Sequence, residues 1–165
     1  MSRYSAWIFL GLVLVACGSP SSDNTTRREI ESRDNLMKTY AEVVGVYRGY
    51  VHPIEPRDLP YAVELRLDVV EVQDGVNENR EVRFRPELRG VFRMLTEPSD
   101  QIRVQMNVRY YKETREIALQ STNSGPTGSA GYQISISGLV EPGLIRGRST
   151  DHLGRTGQVE LRRIR

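Results

Sequence analysis

From Val43 onward, apolar and polar residues alternate with a period of two, and this pattern most constrains the fold. In YAVELRLDVVEV, the apolar residues Val63, Leu65 and Leu67 are separated by charged residues. The stretch IRVQMNVRYY repeats the pattern, and several shorter stretches follow it. Successive side chains of a strand point to opposite faces, so the alternation predicts strands with one buried and one solvated face.

Short turn sequences separate the predicted strands. Asp74-Gly75 and Pro142-Gly143 lie between apolar runs, and tight turns favour these residue types. About nine short strands joined in this way predict antiparallel pairing of neighbours, because parallel strands need long crossovers. We therefore predict an all-β domain over residues 43–165 that forms an antiparallel up-and-down barrel. A two-sheet β-sandwich is the alternative, and the barrel is favoured because closure leaves no exposed edge strand.

The inward face of such a barrel is predicted to be aliphatic. The residues assigned to it are Val63, Leu65, Leu67, Val69, Ile102, Val104, Met106, Val108, Ile134, Ile136, Val159 and Leu161. A barrel of about eight strands has an interior just wide enough for side chains to fill, or for one small ligand. We expect a packed core, with function on the outer surface or in the loops.

A helical period precedes the strands. In residues 27–42, Ile30, Met37 and Tyr40 recur at helical spacing, which predicts a short amphipathic helix that lies against the domain.

The first sixteen residues have a different composition from the rest of the chain. Arg3 precedes a charge-free run from Ala6 to Ala16, which is shorter than the roughly 20 residues that span a bilayer. A charged start, a short apolar stretch and small final residues predict a secretory signal peptide over residues 1–16. Residues 17–26 are small and polar, and they predict a flexible tether.

The LVAC sequence that ends at Cys17 resembles the lipobox of bacterial lipoproteins. The resemblance implies that the Cys17 thiol carries diacylglycerol, that the signal peptide is cut before Cys17, and that the new amine is acylated, as by palmitate. Gly18 follows the cysteine where Asp would favour the inner membrane, which implies an outer-membrane lipoprotein. Two or three acyl chains would hold the protein stably, whereas one chain holds only marginally.

The same resemblance implies a location in the bacterial cell envelope or periplasm, with the domain outside the cytoplasm. Cys17 is the only cysteine of the chain. Its use for lipid leaves none for a disulfide, so the domain must be stabilised by its core.

The first predicted barrel strand contains a G-x-Y-x-G sequence made by Gly45, Tyr47 and Gly49. An antiparallel barrel that begins near this sequence resembles the lipocalins. That resemblance implies an alternative function as a carrier that holds a small apolar ligand inside the barrel.

Few residues suggest catalysis. The chain has two histidines, His52 and His152, and STDHLGR places Ser149 and Asp151 close to the second. Adjacent residues on a turn do not stack in the Asp–His–Ser order that a triad requires. We therefore predict a non-enzymatic protein with no catalytic residue, metal site or cofactor, in which neither histidine is essential. A hydrolase with an unrecognised site is a second alternative.

One run of arginines is a candidate binding face for anionic groups. NREVRFRPELRGVFR contains Arg83, Arg85, Arg89 and Arg93, and guanidinium groups bind phosphate and carboxylate in two-pronged fashion. Phosphates of lipid headgroups or lipopolysaccharide and carboxylates of peptidoglycan are the groups that such a face would meet.

The overall charge excludes one class of partner. The formal net charge is only +2 at pH 7, which argues against nucleic acid. The sequence thus predicts a non-catalytic envelope lipoprotein, bound to the membrane through lipid on Cys17, that contacts envelope components or other envelope proteins through its surface.

Overall fold

The structure is a computed structural model that describes residues 22–55, 58–76, 80–95, 102–122 and 131–165. Within these ranges one helix precedes eight strands. The elements are α1 (Ser22–Ala41), β1 (Gly45–Pro53), β2 (Tyr61–Val76), β3 (Val82–Met94), β4 (Arg103–Tyr111), β5 (Glu116–Ser121), β6 (Ile134–Glu141), β7 (Leu144–Asp151) and β8 (Thr156–Arg163).

The strands form a closed barrel in chain order. Each strand pairs antiparallel with the next, and β8 returns to pair with β1, where Gly49 lies opposite Leu161. The predicted antiparallel up-and-down barrel with an N-terminal helix is confirmed, and the sandwich alternative is not the fold.

Within the described residues there are eight strands, where the sequence predicted about nine. The stretches REVRFRP and LRGVFRML form one strand, because β3 runs through Pro86, which lies opposite Glu71 of β2. β3 pairs with β4 only from Arg89 to Arg93, so Pro86 lies where β3 has a single neighbour. A proline lacks an N–H and is tolerated at such an edge position.

The predicted turn at Asp74-Gly75 is also part of a strand. Gly75 has a φ of 97° and lies where the β2–β3 register shifts, between Gln73 and Val76. The glycine provides an irregularity within β2, and the strand continues beyond it.

The barrel interior is filled by the predicted aliphatic face. Every assigned lining residue is buried or packs against the buried core, with Val69 and Ile102 in the second group. The alternation of apolar residues therefore predicted the inward side correctly. The largest fully buried side chains also include two aromatic ones that had not been assigned to the core, Tyr47 and Phe92.

Gly49 allows β1 and β8 to approach closely where the barrel closes. A Cβ added at this position would overlap the carbonyl oxygen of Glu160 on β8. The glycine of the G-x-Y-x-G sequence thus serves the closure of the barrel.

The end of α1 closes one end of the barrel. Val43, just after the helix, is fully buried, and its carbonyl oxygen accepts a hydrogen bond of 2.8 Å from the Tyr47 hydroxyl. The Glu42 carboxylate forms an ion pair of 2.7 Å with Lys112 in the β4–β5 turn. We call this end the helix end, and the opposite end the open end.

α1 begins at Ser22, before the boundary at residue 27 that the sequence predicted. Part of the predicted tether is therefore helical. The predicted signal peptide, Cys17 and the first residues of the predicted tether lie outside the described residues. No helix within the described ranges is both long enough and apolar enough to cross a membrane.

Candidate functional site

A cleft of about 400 Å³ lies at the open end of the barrel. Strands β1, β2, β3, β7 and β8 line it, together with residues that connect strands at that end. The chain passes from β1 to β2 and from β7 to β8 at this end, so closure of the barrel brings distant segments together. The cleft is on the far side of the barrel from α1.

The floor of the cleft is apolar. Val51 and Met94 are inward-facing residues of the core, and Ile102 packs against that core just before β4. Below these side chains the interior is filled by aliphatic residues. A ligand would therefore occupy the mouth of the barrel and rest an apolar surface on this floor.

Three ring-bearing residues form one wall. The hydroxyl groups of Tyr61 and Tyr132 are hydrogen-bonded to each other. The Tyr132 ring meets the His152 ring edge to face, with 5.3 Å between ring centroids and an interplanar angle of 69°. Both tyrosines are half-buried, and His152 is exposed.

Burial raises the pKa of both phenols. For Tyr61, the loss of solvation is the main cause. For Tyr132, loss of solvation is again the main cause, and the neighbouring Tyr61 and its hydrogen bond raise the pKa further. The two hydroxyl groups are consequently neutral at physiological pH, where they donate and accept hydrogen bonds but do not act as bases.

An ion pair across the β7–β8 turn also lines the cleft. One oxygen of the Asp151 carboxylate accepts a hydrogen bond from Arg155 Nε (2.8 Å) and lies 2.7 Å from Arg155 Nη2. Its other oxygen accepts from the backbone N–H of Leu153 (2.9 Å) and of Arg155 (3.0 Å). Burial alone would raise the pKa of Asp151, but these bonds outweigh burial and lower it.

These contacts define the role of Asp151. The carboxylate is fully engaged with the turn that it closes, and within the described residues it makes no hydrogen bond to His152. Ser149 is buried and lines the cleft. The three residue types of a triad thus share a cleft, but Asp151 does not orient the imidazole as a triad requires.

The balance of charge in the cleft distinguishes between classes of ligand. Among the described lining residues, the charged ones are Asp58, Asp151 and Arg155, and both carboxylates raise the pKa of Arg155. The described wall therefore has no excess of positive charge and does not favour an anion. Neutral hydroxyl groups above an aliphatic floor suit an uncharged or cationic group that has one polar and one apolar side.

His52 lies elsewhere. It is an exposed residue of β1. Its ring centroid is 6.0 Å from that of Tyr50. Since His52 does not line the cleft, the two histidines do not belong to one site.

The predicted arginine face has a mixed charge in the structure. Arg83, Arg85, Arg89 and Arg93 occupy alternate positions of β3 and share its outward face. Arg85 lies 3.6 Å from Asp74, and Arg89 lies 2.8 Å from Glu87 and also bonds to Asn107.

Arg93 has neighbours of both signs. It lies opposite Glu64 on one side and Arg103 on the other, and Glu64 itself pairs with Arg48 at 2.7 Å. Arginines and carboxylates thus alternate across this surface. The structure brings the four predicted arginines onto one face, where carboxylates offset part of their charge.

The cleft residues were missed because no local pattern marks them. Tyr61 opens β2 and Tyr132 precedes β6, and they meet only because the barrel closes. The available signal was that both tyrosines stand at strand starts that a barrel places at the same end.

Comparison of the chain with protein-family models, with curated proteins and with solved structures gives no match. Function is therefore inferred from the geometry of the cleft and from the N-terminal sequence.

Proposed function

We propose that this protein is a non-catalytic envelope lipoprotein that binds a small ligand, or a small group of an envelope component, in the cleft at the open end of its barrel. The observation that carries the proposal is that the two ends of the barrel differ. α1 and the buried Val43 close the end from which the chain leads back to Cys17. The opposite end presents a cleft of about 400 Å³.

The composition of the cleft supports binding more than catalysis. The Asp151 carboxylate is engaged with Arg155 and with backbone N–H groups. The pKa values of Tyr61 and Tyr132 are raised by burial, so both hydroxyl groups stay protonated. These groups orient a bound molecule by hydrogen bonds and supply neither a nucleophile nor a base.

The proposed binding site differs from that of a lipocalin-like carrier. The lipocalin-like alternative places an apolar ligand inside the barrel, but residues such as Leu65, Phe92 and Ile136 fill that space. The ligand would instead lie at the mouth, above Val51 and Met94. A neutral or cationic amphipathic molecule fits these surroundings better than a fatty acid, whose carboxylate would face Asp58 and Asp151.

Capture of small molecules from bacterial envelope extracts tests the proposal. The domain is incubated with the extract and reisolated, and the molecules that it retains are identified by mass spectrometry. Ser149→Leu adds a bulky side chain inside the cleft. Thr150→Leu is the matched control, because Thr150 is the next residue of β7 and is exposed.

We expect wild type and Thr150→Leu to retain the same small molecule and Ser149→Leu to lose it. Circular dichroism first establishes that both variants fold. Equal retention by Ser149→Leu, or the absence of any saturable ligand from wild type, would contradict the proposal.

A further inference from the structure

The β2–β3 hairpin extends beyond the barrel at the helix end. β3 pairs with β4 only between Arg89 and Arg93. The pairing of β2 with β3 continues much farther, to Val76 opposite Val82. This part of the hairpin has no second strand beside β3, and α1 lies against it, where Arg33 forms an ion pair with Glu71.

Exposed apolar side chains lie along this helix–hairpin unit. On the hairpin, Val76 is 56% exposed, Val82 47% and Phe84 54%, and on the helix Ile30 is 55% exposed and Leu36 36%. Ile30, Leu36 and Phe84 line one groove, and Val82 shares its strand face with Phe84 because alternate residues point the same way. We call these five residues the apolar strip. Single exposed apolar residues are ordinary, but a contiguous group indicates an interaction surface.

The positions of the strip residues along the hairpin show which way α1 runs. Leu36 lies beside Pro86, near the barrel, and Ile30 lies in the same groove as Phe84, farther out along the hairpin. α1 therefore runs along the hairpin, with its N-terminal end toward the hairpin tip. The strip and the start of the helix are at the same end of the molecule.

The length of chain before the helix restricts what the strip can meet. Five peptide units join Cys17 to Ser22, and an extended chain covers at most about 3.5 Å per residue. The anchoring cysteine therefore lies within roughly 18 Å of the start of α1. If Cys17 carries lipid, as the proposed function holds, the start of α1 and the hairpin tip beside it cannot move far from the bilayer.

We propose that the apolar strip rests in the membrane interface beside the anchor and holds the barrel upright, with the cleft directed away from the bilayer. This inference depends on the lipid anchor of the proposed function. Arg83 and Arg85 line the groove next to Phe84, and arginines at such a border place aliphatic stems on apolar surface and charged heads in water. Asp74 lies 3.6 Å from Arg85, so we expect little dependence on anionic lipid.

Fluorescence quenching in vesicles tests this orientation. Trp7 is the only tryptophan of the chain, and cleavage before Cys17 removes it. Phe84→Trp thus places a single indole on the strip of the processed lipoprotein. Leu153→Trp is the matched control, because Leu153 is 65% exposed in the β7–β8 turn at the open end.

Each variant is reconstituted, as the lipidated full chain, into phosphatidylcholine vesicles with brominated acyl chains. We expect the indole of Phe84→Trp to shift its emission to the blue and to be strongly quenched. We expect the indole of Leu153→Trp to keep its aqueous emission without quenching. Replacing part of the lipid by phosphatidylglycerol should leave both results unchanged.

Vesicle flotation separates the two claims. A protein that floats but shows no quenching of Phe84→Trp would overturn the orientation and leave the anchor intact. Equal quenching of both variants would also overturn it, because the barrel would then lie on its side. Failure to float overturns the anchor and the orientation together. A concentration-dependent blue shift of Phe84→Trp without vesicles would assign the strip to a second copy of the chain instead.

Discussion

Asp151 and Arg155 close the β7–β8 turn: Arg155 Nε donates a hydrogen bond of 2.8 Å to one carboxylate oxygen of Asp151, and Arg155 Nη2 lies 2.7 Å from the same oxygen. The other carboxylate oxygen accepts two backbone N–H groups of the same turn. The side chain of Asp151 is only 7% exposed, whereas that of Arg155 is 46% exposed. The pair therefore shapes one wall of the cleft and leaves part of the guanidinium accessible from solvent.

Replacement of Asp151 by Asn should destabilise the domain. Loss of charge-assisted bonds, discounted for the exposure of Arg155, amounts to about 1–2 kcal/mol in the free energy of unfolding. Asp68→Asn is the control, because the Asp68–Arg66 pair is more exposed, at 46% and 62%. Urea unfolding at pH 7 should give a loss below about 1 kcal/mol for this control.

The stabilising effect of Asp151 should also depend on pH. Its pKa is lower in the folded state than the value of about 3.9 in the unfolded chain. The unfolded state thus binds the proton more readily, so the contribution is present above pH 4 to 5, and acid removes it as the pH falls through the folded-state pKa. The difference in the free energy of unfolding between wild type and Asp151→Asn should therefore shrink as the pH falls. A difference that stays constant down to acid unfolding would contradict the assignment.

Tyr132 should make alkaline pH destabilising. Burial raises its folded-state pKa above the value of about 10 in the unfolded chain. Its contribution is therefore present below pH 10, and it is lost as the pH rises, because the unfolded state releases the proton first. Tyr132→Phe should have a lower free energy of unfolding than wild type at pH 8, and this difference should narrow as the pH rises above about 10. Denaturant midpoints of wild type and Tyr132→Phe, measured from pH 8 to above about pH 10, test this expectation. A difference in midpoint that widens as the pH rises would contradict it.

Truncation of the barrel core should be costly. Leu65 has no exposed surface, and Leu65→Ala should lower the free energy of unfolding by about 2–5 kcal/mol through lost burial and a residual cavity. Leu139 is 50% exposed, so Leu139→Ala should cost much less. Comparable losses for the two variants in urea unfolding would mean that the inward and outward faces are wrongly assigned.

The alternation in the chain predicted this division of faces because strand side chains have a strict period of two. Val104, Met106 and Val108 of β4 point inward without interruption, and so their sequence pattern is complete. The continuation of β3 through Pro86 could not be predicted, because the position of this proline beside a single neighbouring strand depends on where the β3–β4 pairing ends. That dependence is tertiary and leaves no trace in the local sequence.

The cleft lay beyond prediction for the same reason. Tyr61 and Tyr132 are far apart in the chain, and their hydrogen bond exists only in the closed barrel. The arginines of β3, by contrast, could be placed on one face from the sequence, because alternate residues of a strand point to the same side. The carboxylates that offset Arg85 and Arg89 include Asp74, on the neighbouring strand, and could not be assigned from the period alone.

Gly49 should resist any side chain. An added methyl group would overlap the Glu160 carbonyl oxygen at the β1–β8 junction, and Gly49→Ala should therefore force the closing strands apart. We expect a loss of about 1–3 kcal/mol, in the range of overpacked cores. Gly154→Ala is a contrasting variant, because an added methyl group there meets open space and only the positive φ of 76° disfavours it. Thermal unfolding of Gly49→Ala at the wild-type temperature would show that the strands do not meet there as described.

The lipid on Cys17 is the central claim, because the proposed location and the orientation of the cleft both depend on it. Mass spectrometry of the full-length protein, extracted from the membranes of a bacterial host that expresses it, tests the claim most directly. We expect a chain that begins at Cys17 and carries a diacylglycerol thioether with an acylated amine. We also expect the Cys17→Ser protein to be absent from the membrane fraction. A chain that retains residues 1–16, or one with an unmodified Cys17 thiol, would contradict the claim.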